Sequence, residues 1–190
     1  MKKLLILALV TLPTLVVGQI TWGVKGGANA TTLGEFSSAY APQLRFHAGV
    51  YYQQRLEQQY GILTELQFSM QGARSKYINR QYLGYNYALM PILMKFYFVN
   101  DLFVEVGPQF GYLINARFHD DGYVETITNQ VKRFDFSALI GAGRETDFGN
   151  FGARFGFGLT NTSGATVASD TVFRNLLLQI YVAYTVKELK

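Results

Sequence analysis

Cysteine is absent from the 190 residues, which excludes disulfides, thiolate metal sites and an N-terminal lipid-modified cysteine. Proline occurs only four times and histidine twice, leaving few interruptions of extended segments and little material for imidazole catalysis. Charged residues amount to 16%, and the formal net charge of +4 falls to +2 once Lys2 and Lys3 are set aside. So small an excess predicts no nucleic-acid partner. No apolar run is long enough to cross a bilayer as a helix, and no period of 3.6 residues supplies the helical crossovers of an α/β fold.

What the chain does have is 13 Tyr, 15 Phe and 19 Gly, a composition suited to β-structure with aromatic residues at a lipid–water boundary. Its first residues read as an address: Lys2 and Lys3, an apolar run interrupted by Pro13, then the small residues Val16 and Gly18 around a cleavage point. Residues 1–18 are therefore expected to be a secretory signal peptide, leaving 19–190 as one domain.

Alternation decides the fold class. From Leu102, every second residue (Val104, Val106, Pro108, Phe110, Tyr112, Ile114, Ala116) suits an apolar surrounding, while Glu105, Gln109, Asn115 and Arg117 lie between them. A period of two is a strand signature. The same pattern predicts about eight strands, near 20–31, 43–55, 60–71, 85–98, 102–117, 133–146, 151–160 and 175–187. The apolar set is continuous and the opposite set carries charges of both signs, which inverts the pattern of a soluble lipocalin-like barrel. The expectation is an all-β, antiparallel, up-and-down transmembrane barrel with lipid outside and polar groups within. Short links at 56–59, 100–101 and 147–150 alternate with longer ones at 32–42, 72–84, 118–132 and 161–174. An even strand count then puts both termini in the periplasm and four longer loops outside an outer membrane.

The inward set holds Lys25, Arg45, Lys95 and Arg154 against Glu65, Glu105, Asp135 and Glu145. Lone charges in a low-dielectric interior cost several kcal/mol each, so these eight are expected to pair across the lumen as a structural plug. An eight-stranded barrel leaves an interior that side chains fill, which makes a narrow pore or a small-ligand transport path the alternative. Gly141 with Gly143, and Gly156 with Gly158, resemble the opening of a phosphate-binding GxGxxG, yet Thr146 and Asn161 stand at the last position. Their period of two instead suits small residues that make room in a narrow barrel.

Three stretches carry a family resemblance: GVKGGANATTL from Gly23, FHAGVYYQQRL and GILTELQFSMQGA between Phe46 and Ala73, and NYALMPILMKFYF with FVEVGPQFGYLI between Asn86 and Ile114. FDFSALIGAG at Phe134 and GLTN at Gly158 extend it. The chain resembles the PorT-family outer-membrane β-barrel proteins of Gram-negative bacteria. That resemblance implies a small barrel inserted by the barrel-assembly machinery, and in some members an association with secretion-system components. It departs from the family at Leu89, where members carry an acidic residue, and at the C-terminus, where Tyr184 is followed by Val186 and charged residues instead of a final aromatic.

No HExxH, GxSxG or EF-hand pattern is present, so neither enzyme activity nor a metal or other cofactor is expected. Of the two histidines, His47 falls on an inward position and His119 beside Asp120 and Asp121 in a long link. The link at 72–84 carries Arg74, Lys76 and Arg80 interleaved with Tyr77 and Tyr82, a set expected to contact lipopolysaccharide phosphates at the outer leaflet. The expected molecule is a non-enzymatic monomer with a structural, surface-contact or secretion-associated role.

Overall fold

The computed structural model describes residues 18–33, 40–78, 80–160 and 174–189. The proposed signal peptide and most of the link at 161–174 therefore lie outside the described residues.

Among the described residues nine strands run in chain order: β1 (Gln19–Leu33), β2 (Tyr40–Arg55), β3 (Tyr60–Ser75), β4 (Tyr82–Tyr97), β5 (Leu102–Asp120), β6 (Tyr123–Thr126), β7 (Phe134–Thr146), β8 (Gly149–Gly158) and β9 (Asn175–Leu189). Eight of them close an antiparallel ring in the order β1-β2-β3-β4-β5-β7-β8-β9, with β9 returning to β1 through pairs from Ile20↔Leu189 to Leu33↔Asn175. Closure leaves no free edge in the wall, the condition for exposing a sheet to hydrocarbon.

The outer surface is the expected apolar set. Leu44, Phe46 and Val50 on β2, Ile62, Leu66 and Phe68 on β3, and Phe151, Phe155 and Phe157 on β8 are all exposed, while the residues between them turn inward. A water-facing monomer would hardly carry so continuous an apolar belt. Links 56–59, 98–101 and 147–148 are tight and sit at the end where β1 begins and β9 finishes. Asn100 at φ 60 and Gly149 at φ 147 provide the left-handed backbone that two of these reversals require.

The structure corrects the sequence expectation in three places. Asn86 pairs with Asn115 but Tyr87 pairs with Leu113, so Ile114 is an extra residue and the alternation of β5 slips beyond it. Ala116, expected to face lipid, is fully buried, and Arg117, expected inside, is exposed. Leu176, which alternation groups with the outward Leu178, Ile180, Val182 and Tyr184, is buried at the start of β9. Third, the long links are shorter than expected because the strands overrun them. β3 continues to Ser75, and β5 rises past its last β7 pair, Tyr112↔Phe134, to form a hairpin with β6. Asp121 at φ 38 and Gly122 at φ 94 make its two-residue turn, the conformation that an Asp-Gly pair favours between twisted strands.

Inside, packing changes with height. Toward the loop end Tyr85, Tyr87, Leu89 and Leu113 form an apolar layer, onto which Ile127 and Val131 of the β6–β7 connection fold. Tyr51, Leu63, Leu93, Leu139 and Ala183 form a second cluster, and Tyr97, Phe103 and Tyr181 a third nearer the tight turns. Room for these large inward groups comes from glycine. A Cβ on Gly143 would stand 2.6 Å from the Phe103 ring, and one on Gly141 would stand 2.7 Å from Arg154 Cγ.

Candidate functional site

Arg154 occupies the middle of the lumen, projected from β8 with 1% of its surface exposed. Its Nη1 and Nη2 donate to the two carboxylate oxygens of Glu65 on β3 at 2.8 and 2.6 Å. Its Nε and Nη2 donate to the two oxygens of Glu105 on β5 at 2.5 and 3.0 Å. One guanidinium thus clamps two carboxylates, each bidentately, and ties three strands across the barrel.

Both carboxylates have further donors. Lys25 on β1 reaches Glu65 at 2.9 Å, and the Gln67 amide also donates to Glu65. The Tyr181 hydroxyl donates to Glu105 at 2.8 Å, while the Tyr181 ring lies under the Lys25 ammonium, 3.3 Å from its centroid. Lys25, Arg154, Glu65 and Glu105 form a neutral quartet with the polar and cation–π contacts that buried charge requires.

A smaller pair sits toward the tight-turn end. Lys95 donates to Gln53 at 2.8 Å, Gln53 donates to Glu145 at 3.0 Å, and Lys95 and Glu145 stand 3.9 Å apart. The Phe103 ring lies 3.8 Å from the Lys95 ammonium. Six of the eight inward charges are therefore gathered into two adjoining, internally neutral groups.

The other two stand apart. Asp135 is buried but accepts from the hydroxyls of Ser137 at 3.0 Å and Thr160 at 2.5 Å, and among the described residues no cation pairs with it. Arg45 is half-buried near the loop end, its guanidinium 5.5 Å from the Tyr82 ring, whose other contact is a stack with His119 at 4.2 Å. Asp135 pairs with Gly111, six residues past Glu105 on β5, and Arg45 pairs with Asn29, four residues past Lys25 on β1, so both stand above the central layer, a level that strand-by-strand alternation cannot reveal.

Tyr181, Gln53 and Gln67 were legible as inward residues but not as members of the network, because their partners lie on distant strands. His47 is buried with Nδ1 against Asn29 Oδ1 at 2.8 Å, and Asn29 in turn donates to Ser69 at 2.9 Å. That geometry offers a hydrogen-bonded core imidazole: Asn29 holds both His47 and Ser69, the residue opposite His47 on β3. Among the described residues no cluster of three His, Asp or Glu side chains could hold a metal ion.

At the loop end, Arg74, Lys76 and Arg80 line a cleft of about 270 Å³ together with Ser75 and Ile78. Arg80, at φ 63, reaches across to Asp121 on the β5–β6 turn at 3.1 Å, with both side chains largely in solvent.

A closed eight-stranded wall, apolar outside and ion-paired within, defines a small membrane-embedded β-barrel. The sequence places it more closely: residues 13–164 match the family described as outer membrane protein beta-barrel domain, and the chain belongs to that family, whose members reside in the outer membrane. The fold is similar to that of Neisserial surface protein A, with a TM-score of 0.59 at 9% identity over 88% of this chain and 98% of that one. Ail, the attachment invasion locus protein of Yersinia pestis, gives a TM-score of 0.47 at 14% identity over 90% and 99% of the two chains. No curated protein matches the sequence significantly.

Proposed function

We propose that this barrel is a non-conducting, non-enzymatic surface protein whose loop end engages lipopolysaccharide. The observation that carries the reading is the basic cleft at Arg74, Lys76 and Arg80, three cations on the rim that would meet phosphates of the outer leaflet if the tight turns and termini face the periplasm. The lumen supports it from below. With Arg154 clamped between Glu65 and Glu105 at mid-height, and Tyr85, Tyr87, Leu89 and Leu113 packed above, the interior acts as a strut between strands.

The test replaces Arg74, Lys76 and Arg80 together by Gln and measures binding of the detergent-purified barrel to lipopolysaccharide and to its dephosphorylated form. The expected result is a several-fold loss for the phosphorylated ligand alone; unchanged binding would remove the proposal. Step-like single-channel conductance in planar bilayers would replace it with the pore reading. A secretion-associated role, of the kind the PorT resemblance implies, would show as secretion components recovered with the cross-linked barrel.

A further inference from the structure

Arg144 stands out on the lipid-facing wall. It is exposed on β7, in register with Leu102 of β5 on one side and Phe151 of β8 on the other. Among the described residues no carboxylate pairs with it and no side chain hydrogen-bonds to it. A guanidinium among apolar neighbours near the end of a transmembrane wall calls for an anion at the headgroup level.

The wall below Arg144 is hollowed. Two depressions, of about 710 and 360 Å³, meet at Val104 and Ala142 and run from Arg144 toward Ile140. Their floor is thin because outward Ala142 pairs with outward Ala153, with Ile140 and Arg144 flanking on β7 and Phe151 and Phe155 on β8. Leu102 and Val104 form one bank, Phe151 and Phe155 the other. The four steps along β7 from Arg144 to Ile140 span about 13 Å at strand rise.

We propose that this groove is a phospholipid site: one acyl chain lies against Ala142 and Ala153, and the Arg144 guanidinium holds the phosphate by charge-assisted hydrogen bonds. Charge and shape select this occupant together. A second barrel docking here would bring an equivalent Arg144 toward like charge, whereas a glycerophospholipid brings a phosphate and a flexible chain to a shallow apolar depression ending in a cation. The leaflet rests on the orientation proposed above, which puts Arg144 at the periplasmic side, where the lipid is a glycerophospholipid.

Native mass spectrometry of the detergent-purified protein tests it, with phosphatidylglycerol and diacylglycerol as probes. The intact barrel should retain phosphatidylglycerol about tenfold better than diacylglycerol, the worth of one charge-assisted contact. Arg144→Gln should bring phosphatidylglycerol down to the diacylglycerol level. Ala142→Phe should abolish retention of both, and Ala153→Leu should repeat that result; heat-modifiable migration on gels establishes that each variant is folded. Phosphatidylglycerol retention unchanged in the folded Arg144→Gln and Ala142→Phe proteins would overturn the proposal, as would a dimer that Ala142→Phe dissolves. Orientation is read separately, by labelling a Gln58→Cys variant in whole cells with an impermeant maleimide. Labelling there would refute the orientation and the leaflet, while the lipid measurement would still judge the groove.

Discussion

Arg154 and Arg80 each hold a carboxylate at hydrogen-bonding distance, and they occupy opposite physical regimes. Arg154 lies in a lumen where its side chain and those of Glu65 and Glu105 are at most 1% exposed; Arg80 and Asp121 face one another with side chains 82% and 73% exposed. In the first, desolvation has removed water as an alternative partner, so every N–H and carboxylate oxygen must be answered by protein. In the second, water competes and salt screens, and the pair contributes little. The same ion chemistry thus ties strands together at the centre of the barrel and stays open to exchange with solvent at its rim.

The largest effect is expected where this contrast is sharpest. Arg154→Met leaves Glu65 and Glu105 buried with only Lys25 to neutralise them, and should cost at least about 3–5 kcal/mol. Urea unfolding of the barrel in lipid or detergent, followed by the Trp22 emission and by gel migration, measures it. Adding Glu105→Leu to that variant leaves a balanced Lys25–Glu65 pair and should recover much of the loss; failure to recover would mean that Arg154 acts through packing and not through charge. Next comes Gly141→Leu, whose side chain would enter the space of Arg154 Cγ and stand 2.9 Å from Glu105 Oε1 at the Cβ alone. An overpacked interior of this kind costs about 1–3 kcal/mol, and the loss should shrink if Arg154 is first shortened.

Lys95→Met is expected to be milder than Arg154→Met. Its carboxylate, Glu145, is 23% exposed as a side chain, against 0% for Glu105, and its Oε1 retains the Gln53 amide when the ammonium is gone, although Oε2 is buried. The two variants compared in the same unfolding assay rank the two neutral groups. An equal loss would show that the lumen shields Glu145 as fully as Glu105.

What the sequence disclosed follows the range of each interaction. Lipid-facing positions such as Phe46, Leu66 and Phe155 are legible because strand alternation is local, set by neighbours two residues away. The inward charges are equally legible as inward, but which ones meet is not. Glu65 and Arg154 lie 89 residues apart, and whether they share a level depends on the stagger accumulated through the intervening strands. Arg45 sits only two residues from His47, yet it ends beside Tyr82 at the rim while His47 joins the buried Asn29. The bulge at Ile114 left no mark in a run that alternates smoothly in type, and so Ala116 and Arg117 are exchanged between the faces. The β5–β6 hairpin did leave a mark, Asp121-Gly122 between two extended segments, and turn chemistry identifies it where hydrophobic alternation does not.

The smallest effect on stability belongs to Arg80. Arg80→Ala removes the contact to Asp121 and should leave the unfolding midpoint unchanged within error at moderate salt, since an exposed pair gains little from its partner. Its effect on lipopolysaccharide should be visible nonetheless, because Asp121 occupies the Arg80 guanidinium in the absence of ligand and phosphate must displace it. Asp121→Asn therefore carries the opposite sign. It frees Arg80 for phosphate, and binding to phosphorylated lipopolysaccharide should tighten modestly, by less than the loss seen when Arg74, Lys76 and Arg80 are all replaced. A weakening with Asp121→Asn would mean that the pair positions Arg80 for its ligand, and the rim would then resemble the lumen in using a carboxylate to orient an arginine.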